Sequence, residues 1–234
     1  MRIFASLLVV ALFGTSAYAL DQAALERMMA NPDRPAADKE RDASRRAPQV
    51  LDFLGLEAGM TALDINASTG WYTEVLSYAV GPDGTVLMQN RPGGRADEPA
   101  AARANRLSNV EQIAAITDAP AGSVDFAMTA LNFHDFHNAN PDVAQGILNQ
   151  AAGALKQGGI LGIIDHEGTF GADNESLHRI AFEDAVKAVL ATGQFALVGA
   201  SDVLDNPADD HTKGPFDESL GRNTDRLVLK FMKL

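Results

Sequence analysis

The chain has 234 residues, enough for one sizeable α/β domain, and 46% of them are hydrophobic, a share that argues against intrinsic disorder. Against 19 basic residues stand 31 acidic ones, a formal charge of −12, and an acidic surface repels phosphate, which argues against DNA, RNA and anionic membranes as partners. No cysteine is present, so disulfides, zinc–thiolate sites and thiol catalysis are excluded.

The first expected element is a leader. Arg2 precedes an apolar run, Ile3–Phe13, too short to span a bilayer, and Ala17-Tyr18-Ala19 is a small-residue cleavage pattern. The reading is a signal peptide over 1–19, one domain over 20–234, and an exported, periplasmic protein with no membrane contact after cleavage.

A short helix is expected over Gln22–Met29, then a helical stretch over Ala36–Leu54 that starts near Pro35, stops at Gly55 and is kinked or divided by Pro48. From residue 61 strands and helices alternate. Strands are predicted at 61–65, 85–89, 111–116, 124–131 and 159–165, and helices at 71–80, near 97–106, at 141–155 and at 175–192. Such alternation predicts a mostly parallel sheet with helices on both faces. Phe195–Ser201 and Arg226–Met232 read as two strands with no helix between them, an antiparallel pair at the sheet edge. The connection 203–225 is long enough to be a lid or a binding segment.

In an open α/β sheet, ligands sit beyond the carboxyl ends of the strands, near the point where strand order reverses. The polar residues at those ends are Asp64 to Gly70, Gln89 and Asn90, Asp118, Asn132 to Asp135, and Asp165 to Glu167. The densest pattern is at 60–90: an apolar run holding one acid, Asp64, then small residues to Gly70, a helix-like segment, a Gly-Pro-Asp-Gly turn and a second apolar run. That is a βαβ unit. It resembles the first motif of class I S-adenosylmethionine (SAM) dependent methyltransferases, where an acid precedes a Gly-x-Gly-x-Gly turn. Asp64 and Gly70 match, while Asn66 and Ser68 replace the first two glycines. Further segments, DRPAADKERDASRRAPQVLDFLGLEAGM, STGWYTEVL, LNFHDF, LKQGGILGIIDHEG, LDNPADD and DRLVLKF, are together similar to a group of exported bacterial predicted methyltransferases.

The resemblance implies a Rossmann-like class I methyltransferase fold with an antiparallel last strand, SAM as cofactor and a small-molecule acceptor. It implies cofactor-binding roles for Asp64, Asn66, Ser68 and Gly70, for Asn90 at the ribose position where the family has an acid, for Asp118 beside the adenine, and for Asn132. Asp125 reads as structural. Methyl transfer needs in-line placement and a base only where the acceptor must lose a proton. His134 and Asp135, after the fourth strand, are the first candidates for that role, and His166 after the fifth is the second. Arg41, Arg45 and Arg46 either close over a ligand carboxylate or pair with Glu40 and Asp42 along the helix.

Two other readings stay open. A non-catalytic binding protein on the same fold is compatible with the lost glycines. A metal-binding hydrolase would draw ligands from His134, His137, Asp165, His166 or Asp209-Asp210-His211, yet no tight ligand motif is present and no metal is assigned. A nicotinamide dehydrogenase lacks its Gly-x-Gly-x-x-Gly after the first strand.

Overall fold

The computed structural model describes residues 20–234; the leader expected over 1–19 lies outside the described residues. The strands are β1 Thr61–Ile65, β2 Thr85–Gln89, β3 Val110–Ile113, β4 Val124–Ala130, β5 Leu155–Gly168, β6 Ile180–Ala181, β7 Phe195–Ser201 and β8 Arg226–Lys233. They form one sheet in the order β3-β2-β1-β4-β5-β8-β7, with β6 paired to the end of β5. β1 to β5 run parallel, and β8 is antiparallel to both β5 and β7. This is the expected Rossmann-like class I methyltransferase fold. The chain leaves β1 for β2 and β3 on one side and returns to β4 and β5 on the other, so the crevice opens at the carboxyl ends of β1 and β4.

Side-chain alternation divides the core into two layers. Leu63 and Ile65 of β1 join Ala127, Leu161 and Ile163 against the helices α8 (Pro141–Ala154) and α9 (Phe182–Leu190), where Leu148, Ala151 and Val189 are fully buried or nearly so. Ala62 faces the other way and packs with Phe126, Met128 and Ile164 against α1 (Gln22–Met29), α4 (Ala47–Leu54) and α5 (Trp71–Val80). Asp64 shares the parity of Ala62, so the pleat aims its carboxylate at α5. Each buried leucine or isoleucine of these layers contributes roughly 1.5–3 kcal/mol, which fixes the strand register. No helix among the described residues is long and apolar enough to cross a membrane.

Several elements differ from expectation. The stretch 36–54 breaks into α2 (Ala36–Lys39), α3 (Asp42–Arg45) and α4; the first break falls at Glu40 and Arg41, and the second at Arg46, in the left-handed region at φ 40°. Pro48 does not kink a helix; it sits in the first turn of α4, where its missing N–H has no intrahelical partner to lose. β3 stops at Ile113 because the Asp118 carboxylate takes the N–H groups of Ala114 and Ala115. The helix expected from 175 starts only at Phe182. Residues 174–179 form a turn closed by Arg179 N to Asn174 O, and Ile180–Ala181 pair with β5. The short helix α7 (Phe133–Ala139) was not anticipated, and α6 (Asp97–Ala104) was.

Candidate active site

The turn after β1 keeps a glycine-like backbone without two of the glycines. Asn66, Ser68 and Gly70 all lie in the left-handed region, at φ 53°, 54° and 81°. A side chain there costs roughly 1–2 kcal/mol, least for Asn, which tolerates the region best. The turn is tied down from β2: Ala67 N donates to Gln89 O (2.9 Å) and Asn66 N to Gln89 Oε1 (3.0 Å). Ser68 N donates to Asn90 Oδ1 (2.8 Å), and Asn90 Nδ2 returns a bond to Ser68 O (2.9 Å). Only at the third position is glycine demanded by space, since a Cβ on Gly70 would stand 2.6 Å from Met88 Cε and 2.9 Å from Arg103 Cδ.

Asp64 is buried just before this turn and accepts from Thr73 Oγ1 at 2.6 Å. Burial pushes its carboxyl up to about 6, against the opposing hydrogen bonds of Thr73. Asp64, Asn66, Ala67, Ser68 and Thr69 form one wall of a cleft of about 330 Å³; Leu131, Asn132 and Asp135 form the opposite wall, and Arg41, Arg45, Trp71 and Tyr72 close its end. A second cavity of about 600 Å³ shares Asn66 with the first and runs past Gln89, Arg91, Ala115, Phe136 and Ile147.

Arg45 makes no ion pair among the described residues, though its charge acts on Asp64 in the same cleft. Its guanidinium lies 4.4 Å from the Trp71 ring centre and 5.4 Å from that of Tyr72. The neighbouring acids are engaged elsewhere, Asp42 with Arg34 and Asp38 with Arg41 and Arg103. Burial lowers Arg45 to about 10, with nearby Arg41 and Arg226 adding to the push and Tyr72 opposing it.

The opposite wall is assembled from distant segments. Asn132 Nδ2 donates to Asn66 O (3.2 Å) and so stitches the end of β4 to the turn. On α7, His134 donates its backbone N–H to Asp165 Oδ2 and sets its ring Nδ1 on Asp165 Oδ1, both at 2.7 Å. Its Nε2 lies 3.1 Å from Asp135 Oδ1, which is also 3.0 Å from His178 Nδ1. Burial opposes charge on His134, but Asp135 and Asp165 together outweigh it and raise the imidazole to about 9. His166 is packed behind His134, with ring centres 5.7 Å apart, and is bonded through Nδ1 to Thr224 Oγ1 (2.6 Å). Burial first, then the charges of Arg226 and His134, push it down to about 2, which keeps it neutral.

The structure therefore brings Asp64, Asn66, Ser68, Asn132 and Asp135 to one cleft, with His134 directly behind Asp135. Gly70 caps α5 beside it. Asn90 stands behind the turn with its amide engaged by Ser68, and Asp118 closes its own loop. Asp125 accepts from Thr61 N (2.9 Å) and ties β4 to β1. Asp209, named in the metal alternative, pairs with buried Arg179. The connection 203–225 carries Phe216 edge-on to His178, with ring centres 6.1 Å apart. His178 went unanticipated: no periodicity marks it, and only the turn at 174–179 delivers it to α7.

Among solved structures the chain is similar to a SAM dependent methyltransferase from Aquifex aeolicus, with a TM-score of 0.62 at 20% identity over 92% of this chain and 99% of that one. It is similar to the arsenic(III) S-adenosylmethionine methyltransferase CrArsM from Chlamydomonas reinhardtii, with a TM-score of 0.55 at 16% identity over 90% and 72%. The [4+2]-cyclase SpnF aligns as well, with a TM-score of 0.61 at 18% identity over 86% and 84%. At these identities the likeness establishes the fold, which alone does not fix the chemistry. No family model matches the chain, and no curated protein does.

Proposed function

We propose that the protein is a SAM-dependent methyltransferase acting on a small-molecule acceptor. The carrying observation is the turn: Asn66, Ser68 and Gly70, at the three positions where the resembled motif has glycine, all lie in the left-handed region that glycine favours, immediately after the buried Asp64. Bound SAM would supply an activated methyl group on a sulfonium. Asp64 and Asn132 would hold the ammonium end of its methionine portion, and Arg45, which makes no ion pair among the described residues, its carboxylate. The adenosine end would extend into the second cavity.

The ribose end fits less well. Asn90, at the ribose position, is bonded to Ser68 through both its oxygen and its nitrogen, so most of the affinity would come from the methionine end. This commitment favours the second reading, a non-catalytic binding protein that takes a different ligand in the same cleft. His134 and Asp135 form the acceptor wall, where a proton would be received from an acceptor that must lose one. Export to the periplasm, suggested by the leader pattern, is part of the proposal; N-terminal sequencing of the protein isolated from its host tests it, with Leu20 expected first and an intact Met1 refuting it.

Calorimetric titration with SAM and S-adenosylhomocysteine tests the cofactor reading. The expected result is micromolar binding, about −8 kcal/mol, lost in Asp64→Ala. Absence of binding, or equal binding by Asp64→Ala, would leave the non-catalytic reading in its place.

A further inference from the structure

We propose that His134, Asp135 and His178 form a binding site for a late first-row divalent metal ion at the acceptor end of the cleft. One ligand atom from each residue can be chosen so that all three lie within 4.8 Å of one another. The spacings through Asp135 Oδ1 are 3.1 Å to His134 Nε2 and 3.0 Å to His178 Nδ1. Adjacent ligands, each about 2.1 Å from one ion, stand roughly 3.0 Å apart at right angles and roughly 3.4 Å apart at the tetrahedral angle. The two spacings therefore match right-angle positions as they stand and are a few tenths of an ångström short of tetrahedral ones.

The surroundings are those of a metal site as well. A ligating imidazole is normally oriented by a carboxylate on its other ring nitrogen. Asp165, fully buried, takes Nδ1 of His134 at 2.7 Å and the backbone N–H of the same residue at 2.7 Å. That brace leaves Nε2 as the coordinating atom. On the other side His178 is held at φ 52°, a conformation costing a non-glycine residue about 1 kcal/mol or more. The next residue keeps it there: buried Arg179 bonds the carbonyls of Glu167 and Lys213 and the carboxylate of Asp209. Burial is graded in the sense an entry path requires, since His134 is enclosed while Asp135 and His178 are about half exposed.

No other histidine offers this among the described residues. His137 stacks on Phe133 and belongs to no three-ligand group, His166 is engaged by Thr224, and His211 has a single carboxylate, Asp225, as its charged partner. Two imidazoles with one carboxylate suit Zn²⁺, Co²⁺ or Ni²⁺ better than Mg²⁺ or Ca²⁺, which prefer all-oxygen sets. Three protein ligands leave further positions open, and Asp135 lines the cleft, so the ligand that completes the shell would be an oxygen or thiol group of the acceptor. Only this last point rests on the methyltransferase reading. With the ion bound, His134 is a ligand, and activation of the acceptor passes from the imidazole to the metal.

Co²⁺ titration of the chelator-treated full chain, followed by its visible ligand-field bands, tests the site. One ion per chain with micromolar affinity is expected, displaced by Zn²⁺. His178→Ala and Asp135→Asn alter half-exposed side chains and should weaken binding by about 100-fold or more, while His211→Ala should leave it unchanged. No Co²⁺ bands at millimolar metal, or an affinity indifferent to His178→Ala and Asp135→Asn, would overturn the proposal. Binding of Co²⁺ without S-adenosylhomocysteine would keep the metal site and remove the cofactor reading; the reverse would do the opposite.

Discussion

The two long walls of the cleft are built on opposite principles. The wall proposed for the cofactor is one short segment, Asp64 to Thr69, shaped by backbone conformation around a single carboxylate, Asp64. The wall proposed for the acceptor joins α7, the end of β5 and the turn at 174–179 through side-chain atoms about 3 Å apart. A conformational site survives side-chain replacement wherever the new residue can adopt the angle, as Asn66 and Ser68 do. A side-chain site has no such latitude, because each group holds the next in place.

That contrast is sharpest at His134. His134→Ala should lower turnover of an acceptor found by screening by about 10²–10⁴-fold while leaving S-adenosylhomocysteine affinity within a factor of about two. Loss of both together would show that the walls are not separable.

Asp64 tests the other wall through stability. Its pKa in the folded chain is raised from 3.8 to about 6, chiefly by burial. A raised carboxyl pKa means that stability is fully present below the unfolded value and is lost as pH rises through the folded one. Between pH 4 and about 6 the protein should therefore give up as much as roughly 3 kcal/mol. Asp64→Asn should remove that loss, so urea unfolding should show a variant advantage at pH 7.5 that shrinks towards pH 4. An equal difference at both pH values would mean that Asp64 is not desolvated as its burial implies. The same variant should bind S-adenosylhomocysteine more weakly, a trade of function for stability confined to this wall.

Smaller effects sharpen the comparison further. Arg45→Met keeps the stacking bulk against Trp71 and removes the charge, and should weaken S-adenosylhomocysteine about 10-fold while leaving the carboxylate-free 5′-methylthioadenosine unchanged. An equal loss for both ligands would return Arg45 to a packing role. Ser68→Gly should change stability by less than about 1 kcal/mol, since relief at φ 54° is set against added chain entropy. A larger destabilisation in urea would show that the Ser68 side chain, rather than its backbone, holds the turn.

The same division explains how much the sequence disclosed. The fold was legible because apolar parity and helix periodicity are local: 61–65, 71–80 and 85–89 formed at the expected bounds. So was the turn, as a contiguous motif. The three short helices over 36–54 were not, because their breaks depend on Arg46 and on the pairing of Arg34 with Asp42. Nor was the commitment of Asn90, since its partner Ser68 is 22 positions away and no pattern marks an amide as engaged. His178 lay inside a predicted helix, and its arrival beside Asp135 depends on the buried Arg179 and its partners on β5 and the long connection.

The measurement closest to the central claim is the position of S-adenosylhomocysteine in crystals of the complex. The account predicts its amino-acid end between Asp64 and Asn132 with the carboxylate on Arg45, and its adenine in the second cavity near Phe136 and Ile147. A ligand bound elsewhere, or none at millimolar concentration, would contradict the cofactor reading of the Asp64–Gly70 turn.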